Sequence, residues 1–176
     1  MKHLLFSNPN KIFSLLLFAC LGLTGVALFF EYFLLLQPCS LCYLQRFCVY
    51  FLGVISIIAL VHSKKTLLFF RTYLSIALLS ILAGIYFSAR QIYLQSLPEE
   101  LIPNCAPNLI YLLETLPFVD VLFMAIKGDG NCAEVLFSFL GISIPGWLLI
   151  AFVIIVTYLI WALIHSMEIH SPIKDR

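Results

Sequence analysis

The chain has 176 residues, 62% of them hydrophobic and 11% charged, with a formal net charge of +1. So little polar surface cannot cover a water-soluble globule, and a near-neutral charge without any Lys/Arg-rich run speaks against a nucleic-acid partner. The charges gather at the ends of apolar stretches that approach or exceed the roughly 20 residues a helix needs to cross a bilayer, so the expected solvent is lipid.

In chain order, a start carrying Lys2, His3 and Lys11 leads into an apolar run over residues 12–36. It is too long for a secretory h-region and lacks a clear small-x-small cleavage site, which predicts a retained first membrane helix. Glu31 falls near its outer end and reads as a solvated helix terminus, with a face toward a neighbouring helix as the alternative. A second helix is predicted over 43–61, closed by His62, Ser63, Lys64 and Lys65, and a third over 67–95, with Arg71 near its start and Arg90 near its end.

The composition then changes. Residues 97–145 hold five of the eight prolines and three of the eight glycines. A connection of that length is more often functional than a spacer. Within it, residues 108–116 carry apolar side chains at helical spacing around Glu114, predicting a short amphipathic helix along the membrane surface that Pro117 ends. Lys127, Gly128, Asp129, Gly130 and Asn131 read as a turn. A fourth membrane helix is predicted over 146–164, with Trp147 and Trp161 as interfacial anchors. The fold class is therefore all-α: a four-transmembrane-helix bundle in one membrane domain over 1–176, with a short first and a long second outer loop, the latter about 96–145.

Basic residues set the orientation. Lys2, Lys11, Lys64, Lys65, Arg71, Lys174 and Arg176 fall on one side, against Arg46, Arg90 and Lys127 on the other. The positive-inside rule places both termini in the cytoplasm. Cys39, Cys42, Cys105 and Cys132 then face the outer side, which in a bacterium is the periplasm, an oxidising compartment that favours disulfides. Cys20 and Cys48 sit inside apolar runs and read as small packing residues.

A Cys-x-x-Cys pair serves zinc ribbons, haem attachment and dithiol redox centres alike. Zinc needs further ligands; Cys105 and Cys132 lack the close second spacing of structural zinc sites, and His3, His62, His165 and His170 all fall on the opposite side of the membrane. A c-type haem needs His after the second cysteine, where this chain has Tyr43. Redox use is the favoured reading, with structural disulfides and metal ligation as competitors and no metal expected. A helix starting near Cys42 would stabilise a thiolate there through its unpaired N–H groups and positive dipole end. Arg46, four residues on, lies on the same face, where it could hold that charge and polarise a carbonyl oxygen on an acceptor; the alternative is that it snorkels to the headgroups. Cys105 sits in Pro103-Asn104-Cys105-Ala106-Pro107, whose prolines favour an extended, accessible backbone.

Taken together, the Cys39-Ser40-Leu41-Cys42 element with Arg46, the Cys105 and Cys132 loop, and the stretch from Cys132-Ala133-Glu134 to Ile144-Pro145-Gly146-Trp147 resemble the disulfide bond formation protein B family over nearly the whole chain. The resemblance implies a quinone-dependent thiol oxidoreductase of the bacterial inner membrane that reoxidises a periplasmic DsbA-like dithiol oxidase. It implies that the partner's thiolate attacks Cys105 in a Cys105–Cys132 disulfide, that Cys132 attacks Cys39, and that Cys42 passes electrons to a membrane quinone, ubiquinone or menaquinone, held near Cys42 and Arg46. Some members carry Trp where this chain has Phe137. The non-catalytic alternative is a membrane scaffold whose disulfides brace its outer loop.

Overall fold

A computed structural model describes residues 9–62, 67–105 and 109–168. Four of its helices are long and apolar enough to cross a membrane: α1 (Pro9–Tyr32), α2 (Ser40–Val61), α3 (Leu67–Gln95) and α7 (Ile144–Glu168). This is the multi-pass, predominantly helical architecture expected. Lys2, Lys64, Lys65, Lys174 and Arg176, on which the orientation leaned, lie outside the described residues, as do His3 and His170.

The helices neighbour one another in the series α1, α2, α3, α7. Their shared core is built from Phe13, Leu16, Leu52, Leu74, Ile81, Phe152 and Leu159, while large apolar side chains such as Phe18, Phe47, Leu79 and Ile154 stay exposed on the outer surface. In lipid an outward apolar face costs nothing, so helix association rests on close packing of small residues and on interhelical hydrogen bonds. Cys20 and Cys48 serve that packing: both are buried, and a Cβ at Gly53 of α2 would come 3.7 Å from Cys20 Cβ of α1. Ser80 Oγ of α3 donates to Cys48 O of α2 at 3.0 Å.

At Gly84, α3 packs tightly against α7, since an added Cβ there would lie 2.7 Å from the Phe152 ring. Overpacking a tight core costs about 1–3 kcal/mol. Gly84→Leu should therefore lower stability by about 3 kcal/mol, read as an earlier thermal transition in detergent; an unshifted transition would mean that the interface gives way freely.

The helix ends differ from the sequence expectation by up to four residues. α1 stops at Tyr32 rather than at 36, because the chain must turn back within seven residues and Leu35 takes a left-handed backbone (φ 53°) to do so. α2 begins at Ser40, three residues early, and α7 at Ile144, with Pro145 in its first turn, where a missing N–H is harmless.

The long connection is largely structured. A 3-10 turn (Glu99–Leu101) precedes α4 (Leu109–Thr115), the short helix expected, and Pro117 then caps α5 (Phe118–Lys127), which had not been expected. Gly128, expected in a turn, has φ 75° and packs so tightly that a Cβ would come 2.6 Å from Leu94 and 2.9 Å from Leu41. Of the rest of the supposed turn, Lys127 ends α5, Asp129 is extended, and Gly130 and Asn131 open α6 (Gly130–Ala133). Arg90 Nε of α3 donates to Lys127 O at the end of α5, 3.2 Å away, which pins this corner to the bundle. Finally β1 (Ser138–Phe139) and β2 (Ile142–Ser143) form a small hairpin through Leu140 and Gly141, both at positive φ as a two-residue type I′ turn demands. Trp147 Nε1 donates to Phe139 O at 3.1 Å, tying the hairpin to α7.

Candidate redox site

Cys39 is the N-cap residue of α2 and Cys42 lies in its first turn, so both sulfurs stand among backbone N–H groups that have no helical partner. Their Sγ atoms are 2.8 Å apart. All six cysteines are free thiols in the structure. The docking of Gly128 onto Leu41 and Leu94 brings α6 to this point. Cys132, fully buried, joins Cys39, Leu41 and Leu94 in one cluster, with Cys42 packed against it. Ser40 Oγ lies 3.3 Å from Cys132 Sγ.

Three of the four expected cysteines are thus brought together. Cys105, the fourth, is exposed and sits beside α6: a Cβ on Gly130 would meet Pro103 O at 2.6 Å and Cys105 Sγ at 2.9 Å, and Gly130 N donates to Asn104 O at 3.3 Å. The thiols of the buried cluster divide their protons unequally. Hydrogen bonding with Cys132, and then with Cys42, together with burial pushes the Cys39 thiol up, far above the ordinary cysteine range. The same contact from Cys39, supported by Ser40 and outweighing burial, holds the Cys132 thiol below its ordinary value. Of these two thiols, Cys132 is therefore the more readily ionised.

Arg46 departs from the simplest expectation. Its Nη1 is ion-paired with Glu31 Oε2 of α1, and its Nη2 donates to Ala27 O at 3.2 Å. The reading of Glu31 as a solvated helix end is therefore wrong: both side chains are mostly buried, and a charge at this depth is held by its counter-ion. Arg46 still borders a cleft of about 110 Å3 into which Cys42 opens, walled by Phe30, Leu136, Phe137 and Leu148 and carrying Gln91. Phe137 and Phe30 approach with ring centroids 5.3 Å apart. A larger cavity of about 310 Å3 lies on the loop side, lined by Ser40, Tyr43, Asp129 and Glu134. Cys39 borders both cavities.

Two residues that the sequence reading passed over stand under the sulfurs. Gln45 of α2 and Gln91 of α3 are both buried, with Gln45 Nε2 donating to Gln91 Oε1 at 2.9 Å. Amide side chains inside apolar helices were the available signal, because such groups rarely enter a membrane without a partner or a task.

The chain can now be set beside known proteins. The family described as Disulfide bond formation protein DsbB matches residues 9–162. This chain belongs to the DsbB family. Relatives named Disulfide bond formation protein B include one from Saccharophagus degradans, 43% identical over 149 residues, covering 84% of this chain and 89% of the relative. One from Marinobacter nauticus is 41% identical over 145 residues, covering 82% and 86%. One from Stutzerimonas stutzeri is 35% identical over 158 residues, covering 90% and 96%. DsbB membership fits four membrane helices with a cysteine cluster at one end, and it carries disulfide-forming oxidoreductase chemistry in general.

Proposed function

We propose that this protein is a protein-dithiol:quinone oxidoreductase of the bacterial inner membrane, with its redox cysteines on the periplasmic side, and that it reoxidises a soluble DsbA-like thiol oxidase. The observation that carries this reading is the placing of Cys39 between two cavities, one toward the loop and one walled by aromatic and aliphatic side chains of α1, α7 and the connection before β1, with Cys132 packed against it and Cys42 facing the second cavity.

The relay runs by thiol–disulfide exchange, in which a thiolate attacks one sulfur and the other leaves. In the oxidised protein the pairs are Cys105–Cys132 and Cys39–Cys42. The partner's thiolate attacks Cys105 Sγ and Cys132 leaves as a thiolate. Cys132 attacks Cys39 Sγ, and Cys42 leaves as a thiolate at the wall of the inner cleft. The partner's second thiolate resolves its bond to Cys105, and the freed Cys105 reclaims Cys132 from Cys39. Two electrons have then moved from the partner to the Cys39 and Cys42 pair.

The flat apolar walls, the thiol and the guanidinium of the inner cleft fit a quinone headgroup. Bound there, a quinone supplies a two-electron, two-proton sink. Phe30 and Phe137 would hold its ring, and Arg46 would offer a cation to a ring oxygen while Glu31 fixes the guanidinium in place. Arg46→Ala should raise the apparent KM for quinone by about tenfold, a charge-assisted hydrogen bond being worth about 1.5–3 kcal/mol, with a smaller change in kcat. An unchanged KM would remove Arg46 from the site.

The deciding experiment is reconstitution. Purified protein, a reduced DsbA-like partner and a soluble quinone should yield oxidised partner and lost quinone in equal amounts, and a partner whose second redox cysteine is replaced by serine should accumulate a mixed disulfide with Cys105. Partner oxidation without quinone loss would overturn the reading.

A further inference from the structure

Gln91 Nε2 lies 3.3 Å from Cys39 Sγ and 3.4 Å from Cys42 Sγ. Its Oε1 accepts from Gln45 Nε2 at 2.9 Å and lies 3.7 Å from Cys42 Sγ, near enough to take a thiol proton. With its oxygen engaged by the Gln45 donor, the NH2 group of Gln91 is left for the sulfurs. Both glutamines are buried, at 3% for Gln45 and 4% for Gln91. A buried amide without a partner is costly, so the pair is held in this geometry from both ends.

We propose that Gln91, braced by Gln45, is a positioning residue of the redox pair: its amide hydrogens bridge both sulfurs and stabilise the negative charge that appears when the Cys39–Cys42 disulfide is opened. The proposal deepens the redox reading of this site and rests on it. Hydrogen bonds to a thiolate stabilise the reduced pair over the disulfide, so the amide makes that disulfide a stronger oxidant. Other charged or titratable groups around the pair hold different positions. Arg46 on α2 is engaged by Glu31 on α1, Cys132 on α6 meets Cys39, Asp129 lines the cavity on the loop side, and Glu134 borders both cavities. Gln91 is the contribution of α3.

A purely structural role, two amides joining two membrane helices, would also explain the Gln45 to Gln91 bond. The two roles separate in a protein whose only cysteines are Cys39 and Cys42, the other four being replaced by serine or alanine, with neither partner nor quinone present. Its equilibrium with glutathione and its rate of alkylation by iodoacetamide against pH are then measured. Gln91→Met keeps the length and removes the donor. It should displace the alkylation profile upward by about one pH unit, which is tenfold less thiolate at neutral pH, and leave the pair about tenfold harder for glutathione to reduce. Gln45→Met keeps the donor but loses the brace, and should move both readings the same way by less. If Gln91→Met does not fold, as judged by helical circular dichroism, Gln91→Asn draws the amide back by one methylene and should shift both readings in that direction. A folded Gln91 variant within twofold of the parent in both readings overturns the proposal. Because no quinone or partner takes part, failure of the relay would leave these readings interpretable.

Discussion

Cys42→Ser should lower quinone-dependent turnover by at least about a thousandfold, as loss of a nucleophile does when nothing can replace it. The hydroxyl stays protonated, cannot bridge to Cys39 and cannot donate electrons to the inner cleft. The variant should still oxidise about one equivalent of partner through Cys105 and Cys132 and then stop. That burst followed by arrest is the signature to seek in rapid-mixing assays, because it separates a broken terminal step from a misfolded protein. Sustained turnover would end the two-pair relay, since Cys42 is the sulfur of that relay that borders the inner cleft without also bordering the loop-side cavity.

Gly130→Ala should have the next largest effect, although it adds a single methyl group. That methyl would lie 2.6 Å from the backbone oxygen of Pro103 and 2.9 Å from Cys105 Sγ, so the segment bearing Cys105 has to move away from α6. The backbone at Gly130 is helical and accepts alanine without strain, which leaves displacement as the cause. Misplacing a reacting group by about 1 Å can cost on the order of a hundredfold, and partner oxidation should fall by about that factor. Reduction of Cys39 and Cys42 by a small dithiol should hardly change. Equal loss in both assays would show that Gly130 serves stability rather than the seating of Cys105.

The four membrane helices and the cysteine-bearing connections were legible because apolar length and sulfur spacing are one-dimensional signals. Helix ends were less so. The four apolar residues after Tyr32 look like more helix, and nothing in their composition announces the left-handed Leu35. α5 was missed although its signs are present: Pro117 before it, Asp120 in its first turn, Lys127 in its last, Gly128 beyond, and Val121 and Ala125 four apart on the buried face. Proline and glycine density across the connection outweighed them. Within the site, the sequence offered Cys42 and Arg46 on one helical face, but spacing along α2 carries no information about α1. There Glu31 and Ala27 take up the guanidinium. The Gln45 to Gln91 bond is likewise a pairing across 46 positions, visible only once α2 and α3 are side by side.

The unequal exposure of the cysteines has a consequence for bystanders. Cys132 is 0% exposed and Cys39 8%, whereas Cys105 is exposed on the outer connection. An attacker is therefore sorted by how it must approach. A folded partner can present its thiolate to Cys105 alone, and the sulfurs at the head of α2 are shielded by the very segment that must be opened first. Folded protein thiols therefore meet the oxidising capacity held there through Cys105 first, while the half-buried Cys42 stays open to small reagents.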